Sequence, residues 1–307
     1  MRNLFLIILF VLNMKTNSAQ ISNYPSWLDR VEYPFESHFF NLQMGRMHYV
    51  DEGKGDPIVM VHGNPGWSFE FRDIIKSLSK TQRCIAIDQI GFGLSDKPYE
   101  WDYLPKSHAA NLEKLLDSLK LDKITLIVND WGGPIGLNYA LKHPEKIKKI
   151  ILLNTWLWSV KGDPHFEKFS GMMGGRVGRF FIKYFNLFGK MVVKKAVANK
   201  SNFSMKIHKH YYKHMETPKQ RKGSYVFPKQ IIGSSEWLNE LWSKREVLKN
   251  IPTTIIWGMK DIAFKEKELL KWISNLNEPK VIKLENVGHY PQEESPQVLI
   301  EELSAKH

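Results

Sequence analysis

Short β-branched runs alternating with longer amphipathic stretches constrain this 307-residue chain more than any other feature. Pro57 to Val61, Cys84 to Asp88, Lys123 to Val128, Ile150 to Leu153, Thr253 to Trp257 and Lys280 to Leu284 read as buried strands. Between them, Trp67 to Ser79, Lys106 to Leu119, Gly133 to Leu141 and Phe264 to Asn275 read as helices. Parallel strands need a crossover, usually a helix, so the alternation predicts an α/β fold with a mostly parallel, doubly wound sheet. Ser37 to Leu42 and Arg46 to Asp51, with Gly45 between them, read as an antiparallel hairpin that opens the sheet. The rhythm breaks between Trp156 and Ser235, where helical patches with Gly174, Gly175 and Gly178 replace the strands. A core of residues 20–155 and 236–307 is therefore expected to carry a helical cap, 156–235, inserted after the sixth strand. Such a cap covers the carboxyl edge of the sheet, where open α/β sheets hold ligands.

The N-terminus reads Met1-Arg2-Asn3, then an apolar run from Leu4 to Leu12, then a polar stretch ending Ser18-Ala19-Gln20. Nine apolar residues cannot span a hydrocarbon core that needs about 20. A charged start, a short apolar core and small residues at the end predict a signal peptide over 1–19, cleaved near Ala19, and hence an exported protein. An uncleaved N-terminal anchor is the alternative. The single cysteine, Cys84, lies in a strand-like run and has no partner for an internal disulfide. The net charge of +12 comes largely from lysine, 35 Lys against 9 Arg, which argues against a dedicated reader of nucleic acid. Residues 156–235 hold 16 Lys and Arg against 3 Asp and Glu. The expected core is near neutral and the basicity belongs to the cap, which suits weak association with anionic surfaces.

Leu126-Ile127-Val128-Asn129-Asp130-Trp131-Gly132-Gly133 is a strand running into a tight turn and then a helix. Small residues around a polar side chain at such a turn form a nucleophile elbow, here bearing Asp130; an N-cap is the other role open to an aspartate there. Upstream, Ile58 to Val61 ends in His62-Gly63-Asn64-Pro65-Gly66, where half of an oxyanion hole is expected. Downstream, Asp261 follows the strand Thr253 to Trp257, and His289 follows the strand Lys280 to Leu284. Singly, Asp261 suits a turn and His289 a surface loop. Nucleophile, acid and histidine in that chain order, each after a strand, together give the order of a hydrolase triad.

With those motifs the chain resembles the α/β-hydrolase superfamily over nearly its whole length after the leader, and its haloalkane dehalogenases in particular. The resemblance rests on H-G-N-P, on G-F-G-L-S-D-K-P at Gly91 to Pro98, on N-D-W-G-G, on N-T-W-L-W at Asn154 to Trp158, and on V-G-H-Y-P-Q. It implies an α/β-hydrolase fold with Asp130 as nucleophile, His289 as base and Asp261 as the acid that orients it. With Asn154 after the sixth strand and Asp261 after the seventh, the chain is similar to the subfamily that combines a late aspartate with a halide-binding asparagine. The resemblance implies that the side chains of Asn64 and Trp131 bind halide, and that their backbone N–H groups form the oxyanion hole. A small halogenated hydrocarbon, water and halide are the implied partners, with no cofactor, no metal and no nucleic acid. A carboxylate nucleophile suits displacement at saturated carbon, and a departing halide needs N–H donors but no proton.

An epoxide hydrolase shares the elbow aspartate and triad but must serve a departing alkoxide, usually with cap tyrosines; Tyr184, Tyr211, Tyr212 and Tyr225 are the candidates. A non-catalytic binding protein of the same fold is the third reading, although it has no reason to keep all of Asp130, Asp261 and His289. His208, His210 and His214 have metal-like spacing without neighbouring carboxylates or thiols, so they are expected on an exposed basic face. Trp156 and Trp158 are expected in core or cap packing, as are Phe69, Phe71 and Phe264.

Overall fold

The computed structural model describes residues 24–305, so the expected leader and its cleavage site lie outside the described residues. Eight strands form one sheet in the order β1-β2-β4-β3-β5-β6-β7-β8. The hairpin is β1, His38–Leu42, and β2, Gly45–Glu52; β1 pairs antiparallel with β2, and β2 with β4. The remaining strands, β3 Pro57–Val61, β4 Arg83–Ile87, β5 Ile124–Asp130, β6 Ile147–Thr155, β7 Thr253–Gly258 and β8 Lys280–Leu284, run parallel. The central ones are buried on both faces, as their near-continuous apolar runs require. Cys84, a free thiol, is buried in β4.

Crossover helices α1 Arg72–Leu78, α2 Pro105–Leu119 and α3 Gly132–Lys142 connect the first half of the sheet. The expected helix at Trp67 is split, since a 3-10 turn at Ser68–Phe71 precedes α1. Between β6 and β7 every regular element is helical: α4 Pro164–Gly174, α5 Arg176–Phe185, a π-helical turn Phe188–Val192, α6 Val193–Ala196, α7 Met205–Lys213, α8 Lys222–Gly233, α9 Ser235–Ser243 and a 3-10 turn Arg245–Asn250. Then come α10 Glu266–Ile273 and two helices with no sequence expectation, α11 Pro291–Glu294 and α12 Pro296–Ser304. Both begin with proline at the first helical position, where its missing N–H costs nothing.

The histidines of α7 correct the expectation of an exposed basic face, because all three are buried. His208 Nε2 donates to Gly189 O at 2.9 Å, and His210 Nδ1 donates to Lys206 O at 3.0 Å while its Nε2 accepts from Asp29 N. His214 bridges cap and core, with Nε2 donating to Pro65 O at 3.2 Å and Nδ1 accepting from Gly93 N at 2.9 Å. Each serves as a neutral strut, and burial lowers the pKa of each. Arg72 of α1 makes a second tie: its guanidinium meets Glu293 of α11 with two bonds of 2.6 Å, and Tyr211 of α7 donates to the same carboxylate at 2.7 Å.

Candidate active site

The parallel order places the ends of β3, β5, β6 and β7 side by side, so residues far apart in sequence meet at one edge. Asp130 closes β5 at φ +50°, a left-handed conformation that a non-glycine residue adopts only when its surroundings impose it. Glycines make the turn fit: a Cβ on Gly63 would lie 2.2 Å from Asp130 Oδ1, and one on Gly132 would lie 2.0 Å from Val61 O. Thr155 at the end of β6 donates to Asp130 O at 2.6 Å. The side chain thus stands up on the turn, whereas an N-cap would bond its own helix; none of its described bonds does so beyond the Trp131 N–H.

Asp130 Oδ1 accepts the backbone N–H of Asn64 at 2.8 Å, and the N–H of Trp131 also favours its charge. The second oxygen, Oδ2, lies 3.7 Å from His289 Nε2, beyond hydrogen-bonding distance. His289 Nδ1 donates to Asp261 Oδ2 at 2.9 Å. Asp261 is buried, and its carboxylate also accepts from Asn154 Nδ2 at 3.0 Å and from Ala263 N at 2.7 Å. The structure therefore brings Asp130, His289, Asp261, Asn64 and Trp131 together.

Burial opposes charge on both reacting partners, yet the two respond differently. For His289 the desolvation is outweighed by Asp261, then by Asp130 and Glu70, and its pKa stands at about 9. For Asp130 burial wins over His289 and the two backbone N–H groups, and its carboxyl is raised from its ordinary value. His62 holds the adjoining loop: its Nδ1 donates to Gly63 O at 2.7 Å and its Nε2 accepts from Gln89 N at 3.0 Å, while burial lowers its pKa to about 4.

These groups open into a cavity of about 390 Å³, whose walls are mostly Phe166, Phe169, Phe188, Ile231 and Phe264. Trp131 stands at its polar end, edge-on to Trp156 with ring centroids 4.6 Å apart. Trp156 and Phe264 are buried in the main core as expected and line the cavity as well, while Trp158 packs against Trp242 and Trp272 as expected. Asn64 Nδ2 has only a long contact of 3.4 Å to Ser224 O. None of the four cap tyrosines lines the cavity: Tyr184 is exposed, Tyr211 is bound to Glu293, Tyr225 is buried under Arg179, and Tyr212 sits against His208. Tyr290 does line it.

Four further residues hold the site together, and sequence reasoning assigned none of them that role. Asn154, at the end of β6, clamps Asp261 to Gly258 by accepting from Gly258 N at 2.7 Å. Glu70 and Gln292 lie behind Asp130 and His289, with Gln292 Nε2 contacting Glu70 Oε1 at 2.9 Å and Asn129 Oδ1 at 3.1 Å. Asn129, next to the elbow, donates to His289 O at 3.1 Å and so ties the β5 and β8 loops. Asn154, Asn129 and Gln292 stand in the N-T-W, N-D-W-G-G and V-G-H-Y-P-Q motifs, which marked their positions but not their roles, whereas Glu70 carried no signal. Among the described residues, Glu113, Asp117 and His143 alone group closely enough to hold an ion, and Lys142 and Lys146 already pair with the two carboxylates.

A family model for the α/β hydrolase fold matches residues 56–296. The chain belongs to the α/β-hydrolase fold family. Within it, the hydrolase is 36% identical over 268 residues to "Haloalkane dehalogenase 2" of Mycobacterium tuberculosis, covering 86% of this chain and 92% of that protein. It is 33% identical over 276 residues to the "Cis-3-alkyl-4-alkyloxetan-2-one decarboxylase" of Shewanella oneidensis, covering 87% and 86%. Among solved structures it superposes on a putative ancestral haloalkane dehalogenase with a TM-score of 0.79 at 22% identity, covering 87% of this chain and 96% of that one. The dehalogenase DbeA of Bradyrhizobium elkani gives 0.79 at 21% identity, over 88% and 96%. These likenesses agree with the expected mostly parallel sheet carrying helices.

Proposed function

We propose that the protein is a haloalkane dehalogenase working through a covalent ester on Asp130. The observation that carries this reading is the division of labour in the Asp130 carboxylate. Oδ1 is already seated on the Asn64 N–H at 2.8 Å, and Oδ2 stands 3.7 Å from His289 Nε2 beside an apolar cavity. Oδ2 attacks the carbon that bears the halogen; the carbon–halogen bond breaks and its electron pair leaves with the halide. The Trp131 indole N–H and the free Asn64 amide hydrogen meet that halide, donors that demand no proton from it. Once Asp130 is esterified its charge no longer helps to hold His289 protonated, and water loses a proton to the neutral Nε2 and adds to the ester carbonyl carbon. The resulting oxyanion is held where Oδ1 now sits, by the N–H groups of Asn64 and Trp131. Collapse expels the alcohol oxygen, which takes the proton from His289, and Asp130 is regenerated. Overall, a haloalkane and water yield an alcohol, a halide and a proton.

The epoxide reading loses support because its candidate proton donors in the cap stand away from the cavity. The relatedness to an oxetanone decarboxylase gives a β-lactone a place in the test. The purified protein is incubated with 1,2-dibromoethane, 1-bromobutane, styrene oxide and a dialkyl β-lactone, and bromide, diol and alkene are followed. Bromide release with little turnover of the other two is expected; turnover of either without bromide release refutes the proposal. In His289→Phe the ester should persist and appear by mass spectrometry on the peptide bearing Asp130. A label on any other residue removes Asp130 from the nucleophile's role.

A further inference from the structure

Helix α5 is turned the wrong way for a globular protein. Val177, Phe180, Phe181, Tyr184 and Phe185 fall at helical spacing on one stripe, which normally faces a core. Here that stripe faces solvent, at 71%, 50%, 43%, 51% and 57% exposure respectively. The opposite side is the packed one: Ile182 joins Met173, Phe188 and Tyr225 in a small apolar cluster separate from the main core. Half-exposed aromatic rings of about 200 Å² each, plus Val177, leave a patch on the order of 400 Å², comparable with the largest that soluble monomers tolerate.

The charge around the stripe is of one sign. Arg176, Arg179 and Lys183 follow its flank, one helical turn apart, and Lys190, Lys194 and Lys195 are exposed just beyond. No Asp or Glu occurs between Glu167 and Glu216, a stretch with 11 Lys and Arg. A second copy of this surface would therefore bring like charges face to face, which argues against self-association through it. A bilayer with anionic headgroups satisfies both halves together, rings entering the acyl boundary while lysine and arginine meet phosphates.

We propose that α5 is an interfacial docking helix that seats the protein on an anionic lipid bilayer. The placement has a consequence for the cavity. Met173 and Phe188 of the small cluster also line it, as do the exposed Met172 and Lys195 on either side of α5. The docked face thus borders the cavity mouth, and an apolar molecule dissolved in the bilayer meets that mouth directly.

The test uses the full chain carrying Val177→Cys, labelled with an environment-sensitive fluorophore; the native thiol Cys84 is buried and is not a competitor. The label reports on α5 alone, whatever the N-terminal apolar run does. Phosphatidylglycerol vesicles should shift its emission to the blue at a lipid concentration about tenfold or more below that needed with phosphatidylcholine, since each basic residue at an anionic surface multiplies affinity about fivefold. High salt should remove the difference. Adding Phe180→Ser with Phe181→Ser should weaken the response about tenfold, and Arg176→Gln with Lys183→Gln about 25-fold, in each case without moving the thermal unfolding midpoint. No shift with phosphatidylglycerol overturns the proposal, as does equal response to both lipids. A blue shift that rises with protein concentration in the absence of vesicles also overturns it, by assigning the stripe to a second copy.

Discussion

Replacing Asp261 by Asn tests the electrostatics of the site at its most loaded bond. His289 is buried, which alone would depress its pKa; that it stands at about 9 instead of the ordinary 6.5 is due first to Asp261, through both charge and the 2.9 Å bond, and then to Asp130. The difference corresponds to about 3 kcal/mol of preference for the protonated ring. In Asp261→Asn the burial remains and the leading compensating charge is gone, so His289 should titrate at about 7 or lower. The amide also cannot satisfy its surroundings. Asp261 now accepts from three donors, His289 Nδ1, Asn154 Nδ2 and Ala263 N, and an NH₂ must face at least one of them. Leaving a buried donor unpaired costs about 1 to 3 kcal/mol. If the NH₂ faces His289, the ring must accept at Nδ1 and carry its proton on Nε2, the wrong tautomer for a base, at a cost of about 10⁴-fold in ester hydrolysis. The assay is an NMR titration of the His289 ring, assigned by its absence in His289→Phe, beside single-turnover measurement of ester decay. The raised pKa also predicts a sign for stability: the contribution of His289 is complete below pH 6.5 and is lost as the pH rises through about 9. A ring that still titrates near 9 in Asp261→Asn, or ester decay slowed less than about tenfold, would refute this account.

Three further outcomes follow from individual contacts. Asn64→Ala should slow bromide release about 10- to 100-fold by removing one donor to a departing anion, with ester hydrolysis less affected because the backbone N–H remains; an unchanged rate in stopped-flow measurements counts against the halide role. Glu293→Gln should lower stability in urea by about 1 to 3 kcal/mol, because it leaves the buried Arg72 guanidinium with only its looser contacts to Asp73 at 3.4 Å and Glu32 at 3.9 Å, and Arg72→Met with Glu293→Met should recover part of the loss. Glu70, whose pKa burial raises well above its ordinary 4.5, has one carboxyl oxygen without a partner. A carboxyl with a raised pKa weakens the fold as pH climbs past 4.5, so Glu70→Gln should be neutral at pH 4 and neutral to stabilising at pH 8 by urea midpoint; destabilisation confined to pH 8 would contradict it.

The residues legible in the sequence share one property: each sits where a strand ends. Asn64 follows β3, Asp130 ends β5, Asp261 follows β7 and His289 follows β8, so the local pattern that announces a strand also announces a position on the carboxyl edge. The sheet order then brings them together without any information from longer range. Asn154 was legible as a position at the end of β6 but not as the clamp on Asp261, since that role depends on a bond across 107 residues. The α7 histidines failed for the same reason. Apart from Lys206 O, one turn back on α7, their partners are backbone groups at Asp29, Pro65, Gly93 and Gly189, which no spacing within a lysine-rich stretch can reveal. Glu70 lies in a 3-10 turn where a helix was expected, and its burial follows from what folds over it.

Helix α5 shows where periodicity stops being informative. The sequence alone reports a stripe of Val177, Phe180, Phe181, Tyr184 and Phe185, and the usual inference buries it. What decides the matter is the other face, where Gly178 and Ile182 lie one turn apart. A Cβ on Gly178 would stand 2.2 Å from Met172 O and 2.6 Å from Met173 Cα, so the helix comes closer to α4 on that side than any larger residue allows. The smallest residue in the helix therefore chooses the packed face, and Asn186 at φ +55° ends the helix with its Nδ2 bonded to Tyr212 O and Met215 O, fixing the rotation. With one side fixed at backbone distance and the chain held at its end, the aromatic stripe has no direction left but outward. A Gly178→Leu change should push α5 off α4 and lower stability, by overpacking, about 1 to 3 kcal/mol, whereas Phe181→Leu on the outer stripe should change it by less than about 0.5 kcal/mol. Equal losses in the two variants would mean that the aromatic side, not the glycine side, holds the helix in place.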